Sequence, residues 1–249
     1  MKKMIKFRIS KPYNYLDDMV INHVIESTAS AANKLKSGDY DFRFEWSIFF
    51  SFFKAIQLNS KKPIRILDIG GAAGIYYELF KDIFIEMEVE WVIWETISFT
   101  EVLQKSDFKS NCLFFNNISD IKSQFNSFDL IILNSVLQYL EDPYELLKEI
   151  LKFKPNLIHI GKTPFSDDAE LVGLQNSNLI SHGPFKILNT NNTSVSNEVK
   201  ILKFDSVRMI LHSHFSNVLS RPNGTFSFYR YLWFLRKKTV TKAYDFSAF

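Results

Sequence analysis

Ile64-Arg65-Ile66-Leu67-Asp68-Ile69-Gly70-Gly71-Ala72-Ala73-Gly74 is the stretch that decides the fold. A short run of branched apolar residues reads as a buried strand, and three glycines in quick succession then supply a tight turn into a helix. At such a turn a nucleotide-like ligand approaches the backbone at a helix N-terminus, where a side chain longer than Cβ would collide with it. Asp68 stands just before the turn, where its carboxylate can hold a cationic amino group. The dinucleotide pattern GxGxxG is not met. Counting from Gly70, the third position is Ala72 and the sixth is Ile75. The turn by itself therefore leaves the ligand open among nucleotide-like molecules.

Outward from the turn, the chain alternates. Helical spacing over 74–82 is followed by a strand at 89–94, a short helix at 98–104 and a strand at 112–115. A weak helix near 120–125, a strand at 130–133, an amphipathic helix at 142–153 and a strand at 157–160 complete the series. Strand–helix alternation of this kind predicts a parallel sheet with helices on both faces. Residues 164–200 are rich in Ser, Asn and Gly and read as a long connection or lid. A helix at 205–211 and strands at 215–219 and 225–235, joined through Asn223-Gly224, predict a closing antiparallel hairpin. Upstream, helices are expected at 15–36 and 44–58, the second very aromatic. Residues 1–60 thus form a helical cap on one domain, 61–249, which carries a lid-like insertion at about 164–200.

The other strand ends extend the candidate site. Glu95 ends the second strand, 21 positions after Gly74, and a carboxylate there can accept both hydroxyls of a ribose. Thr96 can flank the sugar. After the third strand, an amide from Asn116 or Asn117 can read an adenine edge while Ile118 lies on its face. The fourth strand brings Asn134 and Ser135 to the same edge, and ligands in open α/β sheets bind at those carboxyl ends.

Bulk properties narrow the class. A net charge of +3 without a dense basic stripe argues against a nucleic-acid partner. The single cysteine, Cys112, excludes an internal disulfide and fits a cytoplasmic protein. The basic N-terminus has no apolar run behind it, so no signal peptide is expected. The aromatic stretch before Leu58 is broken by Lys54 and Gln57 and is too short to span a bilayer.

Four segments carry a family resemblance: 67–77 (LDIGGAAGIYY), 90–99 (EWVIWETISF), 128–147 (FDLIILNSVLQYLEDPYELL) and 159–168 (HIGKTPFSDD). They resemble the class I S-adenosylmethionine-dependent methyltransferases, and more closely a bacterial family often encoded among surface-polysaccharide biosynthesis genes. The similarity covers roughly residues 44–175. It implies a Rossmann-like, mostly parallel seven-stranded sheet with a C-terminal antiparallel hairpin. It also implies S-adenosyl-L-methionine as cofactor, held by Asp68, Gly70, Gly71, Ala72, Gly74, Glu95, Thr96, Asn116, Asn117, Ile118, Asn134 and Ser135. The family tends to carry Asp-Arg before Thr-Pro-Phe, whereas Gly161-Lys162 stand here; Lys keeps the charge without the bidentate fork.

The implied reaction is methyl transfer to a small polar acceptor, a hydroxyl of a sugar, glycan precursor or activated metabolite, sugar- or phosphate-bearing. A non-catalytic partner subunit of the same fold and a nicotinamide-dependent enzyme are the alternatives. His182, Tyr139 and Lys162 are the candidate acceptor-side residues, with His182 the candidate base. Gln138-Tyr139 stand where some relatives have Glu-His, so no metal site is expected. His159, inside the fifth strand, is expected to be structural, and His212 and His214 lack partners at ligand spacing. The aromatic segment 44–58 either roofs the site, packs on the sheet, or forms a homodimer face.

Overall fold

The computed structural model describes residues 17–37, 46–59, 63–84, 87–178, 194–222 and 229–236. The chain begins with helices α1 (Asp18–Lys36) and α2 (Trp46–Leu58) and then alternates: β1 (Ile64–Ile69), α3 (Ile75–Phe80), β2 (Val89–Trp94), α4 (Ile97–Lys105), β3 (Leu113–Phe115). It continues α5 (Ile118–Gln124), β4 (Leu130–Asn134), α6 (Pro143–Ile150), β5 (Leu157–Ser166), β6 (Leu171–Asn178), β7 (Ser194–Lys203), α7 (Phe204–His212), β8 (Phe215–Pro222) and β9 (Tyr229–Arg236). Strands β3-β2-β1-β4-β5 are parallel neighbours in that order. β9 runs antiparallel to β5 and β8 antiparallel to β9. These seven strands make the expected sheet with its antiparallel closing pair.

Two further strands were not expected. β5 does not stop at Ile160 but runs on to Ser166, and its last residues pair in parallel with Leu202 and Lys203 of β7. β7 in turn pairs antiparallel with β6 along its length. The described parts of the segment read as a connection or lid are thus an inserted β-hairpin. Polar bonds fasten it to the chain after β4. Tyr139 donates from its hydroxyl to Gln175 Oε1 at 2.7 Å, Lys200 Nζ to the Glu141 carbonyl at 2.6 Å, and Tyr144 from its hydroxyl to Glu170 Oε2 at 2.7 Å. The Asn223-Gly224 turn lies outside the described residues.

Side-chain alternation divides the core between the two sheet faces. Ile66, Trp91, Ile93, Leu130, Ile132 and Leu157 point one way and pack against Ile48, Phe52 and Ala55 of α2 and Phe80 of α3. Leu67, Val92, Ile131, Leu133, Ile158 and Ile160 point the other way, onto α5, α6 and α7. The aromatic helix α2 therefore lies against the sheet face. Phe52 is fully buried, its ring stacked 6.1 Å from Phe80. Phe52→Ala should lower stability by about 3–5 kcal/mol through lost burial and a residual cavity, read as a shift of the urea midpoint.

A polar bond crosses this interface. His159 is fully buried on β5 and its Nδ1 lies 2.8 Å from Ser51 Oγ of α2. The Ser51 hydroxyl donates to the Ser47 carbonyl, so it accepts from Nδ1–H, which fixes the tautomer. Burial pushes the imidazole down to about 3, so the ring is neutral. His159 is a structural histidine that joins α2 to the sheet.

Helix α1 sits elsewhere. Its Ile21, Val24 and Ile25 pack with Ala73 of the glycine turn and with Phe99 and Leu103 of α4. The helix that covers the turn is thus α1, not the aromatic α2. No helix of the described residues is long and apolar enough to cross a membrane.

Candidate functional site

The turn after β1 is held by unusual backbone geometry. Gly70 and Gly74 have φ of 70° and 84°, and Ala72 adopts 50° although it is not glycine. A Cβ on Gly70 would lie 2.8 Å from Val136 Cγ2, and one on Gly71 would lie 2.6 Å from the Asp68 carboxyl carbon. The glycines are therefore required by neighbouring protein atoms as well as by any ligand. At Gly74 the close neighbour is Cys112 Sγ, at 3.0 Å from a would-be Cβ. Burial pushes that thiol up to about 12, so Cys112 is an inert packing group.

Two buried carboxyl groups flank this turn. Glu95, at the end of β2, accepts from the Ala72 N–H at 3.1 Å through Oε1 and from the Thr96 N–H at 2.9 Å through Oε2. This ties the middle of the turn to the adjoining strand and leaves each oxygen a second lone pair. Asp68 is 1% exposed, and its Oδ2 has no hydrogen-bond partner among the described residues. Burial pushes Asp68 up to about 7, opposed by the Trp91 indole and reinforced by the charge of Glu95. Glu95 also rises to about 7 through burial, against the two N–H donors. Each carboxyl would gain from a cation or from hydroxyl donors.

The residues at the third strand's end make local bonds. Asn117 caps α5, its Oδ1 accepting from the Ser119 N–H at 2.9 Å. Asn116 donates to Thr100 Oγ1 at 3.2 Å, and Ile118 belongs to the core beneath the sheet. Thr96 caps α4 by accepting from the Phe99 N–H. All four stand beside Glu95 along the chain or across the sheet, and Asn116 Oδ1 and Asn117 Nδ2 are not used by these local bonds.

At the ends of β4 and β5, Asn134 donates from Nδ2 to the Tyr76 hydroxyl, and its Oδ1 is buried without a partner among the described residues. A Cβ on Gly161 would meet that Oδ1 at 2.3 Å and His159 Nε2 at 2.7 Å. A side chain at this position would have to displace Asn134 or His159. Ser135 and Lys162 hold φ of 59° and 48°, Lys162 within an irregularity of β5 between Ile160 and Thr163. The turn Leu137–Tyr139 follows, with Gln138 and Tyr139 both buried. Tyr139 thus reaches the inserted hairpin through Gln175, a pairing that spacing alone could not reveal. His182 lies outside the described residues. His212 accepts from Arg208 Nε at 3.0 Å on α7.

A strand-end turn walled by two buried acids, in the order β3-β2-β1-β4-β5, is matched by a family model for the methyltransferase domain over residues 46–216. The chain belongs to the methyltransferase domain family. Among solved structures, human N-acetylserotonin methyltransferase in complex with S-adenosylmethionine is similar at 14% identity with a TM-score of 0.50; the match covers 90% of this chain and 58% of that one. The glycopeptide N-methyltransferase MtfA matches at 9% identity and TM-score 0.48, over 77% of this chain and 90% of that one. A protein of Pyrococcus horikoshii OT3 matches at 13% identity and TM-score 0.44 with the same coverage. At such identities the likeness concerns the fold. No protein of curated function matches the sequence significantly.

S-adenosyl-L-methionine is the cofactor this methyltransferase domain implies, and the residues fit it. Asp68 Oδ2, without a partner among the described residues, suits a cationic amino group, and the remaining lone pairs of Glu95 suit two adjacent hydroxyls.

Proposed function

We propose that this protein transfers the methyl group of S-adenosyl-L-methionine to a hydroxyl of a small polar acceptor. The acceptor is a sugar, glycan precursor or related activated metabolite of surface-polysaccharide biosynthesis. The observation that carries the cofactor side is the pair of buried carboxyl groups, Asp68 and Glu95, around the Gly70–Gly74 turn. When bound, the cofactor supplies an electrophilic methyl on a sulfonium that is its own leaving group. What remains for the chain is to bind, to align the acceptor and to exclude water.

The acceptor side is assigned to the ends of β4 and β5 and to the hairpin bound to them. Tyr139 and Lys162 lie there, and the ammonium of Lys162 favours an acceptor bearing phosphate or carboxylate. His182 is assigned as the base on its place in the sequence. Oxygen is assigned as the methylated atom because β4 ends Asn-Ser-Val-Leu rather than in an NPPY-type amine loop. Helices α1 and α2 serve as a cap on the same domain, and the protein works in the cytoplasm as a monomer or homodimer. The polysaccharide assignment rests on the resemblance of segments 128–147 and 159–168.

Titration calorimetry with S-adenosylmethionine tests the cofactor, and a radiolabel screen over nucleotide-activated sugars tests the acceptor. The wild-type protein should bind at micromolar levels. Glu95→Ala removes two charge-assisted acceptor positions and should weaken binding about 100-fold, equivalent to about 3 kcal/mol. Absence of wild-type binding would overturn the assignment. Binding without label transfer to any acceptor would favour a non-catalytic partner subunit.

A further inference from the structure

Four non-glycine residues of the described chain have positive φ, and two of them, Ser135 and Lys162, directly follow Asn134 and Gly161, the last residues paired between β4 and β5. Side chains disfavour that region, so such residues persist where their surroundings hold them, and they gather at functional sites. The Ser135 N–H donates to the Gly161 carbonyl at 2.9 Å, which joins the two strand ends just before Lys162. One side chain then reaches both strained residues. Gln138, only 2% exposed, donates from Nε2 to Ser135 Oγ at 3.2 Å and to the Lys162 carbonyl at 3.1 Å. Its Oε1 is buried and has no partner among the described residues. A buried acceptor in that condition gains from a donor on a bound molecule.

We infer that Gln138 is a positioning residue for the acceptor: its carboxamide clamps Ser135 and Lys162 in their left-handed conformations and so sets the direction in which the Lys162 side chain meets the methyl acceptor. Val136, next to Ser135, closes on Gly70, so the clamped pair borders the cofactor turn directly. A leucine at 138 would fill the same volume and pack equally well, but it has no donor. A glutamate would keep the shape and accept where the clamp must donate. The role in acceptor binding rests on the methyltransferase reading; the clamp itself does not.

Two measurements separate them. The first needs no acceptor: urea midpoints of the wild type, Gln138→Leu, Lys162→Gly and the double variant. Glycine adopts positive φ without strain, so the cost of Gln138→Leu should fall by at least half when residue 162 is glycine. Equal cost in both backgrounds would show an ordinary buried amide and overturn the clamp. The second compares S-adenosylmethionine binding with label transfer to a small-molecule pool extracted from the source cells. Gln138→Glu should bind the cofactor within about threefold of wild type while transfer falls more than tenfold. Wild-type transfer by a Gln138→Glu protein that binds normally would overturn the positioning role. Failure of the wild type to bind S-adenosylmethionine would sink the methyltransferase reading and leave the first measurement to decide the clamp.

Discussion

Gly70→Val should abolish cofactor binding and unfold the protein at a markedly lower temperature. Residue 70 holds φ of 70°, where a β-branched side chain is a genuine outlier. The left-handed conformation costs such a residue about 1–2 kcal/mol. Its Cβ would also lie 2.8 Å from Val136 Cγ2, and forcing atoms into a packed site costs about 1–3 kcal/mol more. Together these predict a loss of about 2–5 kcal/mol and, for a domain of this size, a melting temperature lower by roughly 5–15 °C. Relief of the clash moves either the turn or the Ser135–Val136 segment, and both border the candidate cofactor site. Gly173→Val is the control. Gly173 lies in a strand at ordinary φ with nothing within 4 Å of a would-be Cβ, so that variant should melt near the wild type and bind normally. Differential scanning fluorimetry and calorimetry read both effects, and a Gly70→Val protein that still binds would remove the turn from the site.

The frame of the fold was legible because buried parallel strands leave an unambiguous signature. Val89–Trp94 agrees to the residue with the strand expected at 89–94, and Ile64–Ile69 is the buried strand expected before the glycine turn, since each is an apolar run that ends in an acid or glycine at the sheet edge. The inserted hairpin was not legible. Leu171–Asn178 is an exposed strand, with Val172 and Leu174 more than half exposed, and its Gln, Asn and Ser residues carry the composition of a loop. What makes it a strand is its pairing with β7 and its anchorage to Tyr139, Glu141 and Tyr144, contacts remote in sequence. β5 was cut short for a related reason. Gly161, Lys162 and Pro164 look like strand breakers, yet they form an irregularity through which pairing to β9 continues.

The candidate site divides along the same line. Asp68, Glu95 and the glycine turn could be read from sequence because each demand is local: an acid at a strand end, a glycine where φ is positive. After β3, Asn117 also starts a helix as its N-cap, a second role in which its side-chain oxygen accepts from the Ser119 N–H and its amide N–H groups stay available. Gln138 could be seen only in three dimensions, since its two partners lie 3 and 24 positions away.

Asp68→Asn should raise stability at alkaline pH while it removes cofactor binding, and the two effects together identify what the buried acid is for. Asp68 Oδ2 has no hydrogen-bond partner among the described residues, and its pKa rises from 3.8 to about 7 through burial, with Trp91 opposing and Glu95 adding. A carboxyl raised in the folded state binds a proton that the unfolded chain has already lost. Its contribution to stability is therefore complete below about pH 4 and is lost as the pH climbs through about 7. At about 1.4 kcal/mol per pH unit, ionised Asp68 costs the cofactor-free protein on the order of 2–4 kcal/mol at pH 8. Asparagine is neutral throughout, so the variant should melt about 5–15 °C above the wild type at pH 8, and the gap should narrow through pH 5 and close towards pH 4. In the wild type, a cationic ligand must displace the protons that Asp68 and Glu95 hold below about pH 7. Affinity for S-adenosylmethionine should fall by up to about tenfold for each unit of acidification per group, with proton release visible as a dependence of the binding enthalpy on buffer. Asp68→Asn should lose at least about 100-fold in affinity, for want of a charge-assisted bond, and most of the pH dependence. A melting difference that does not change with pH would place Asp68 in an ordinary polar environment. Unaltered binding by the variant would mean that the buried charge serves the fold alone, at a cost no neighbouring group explains.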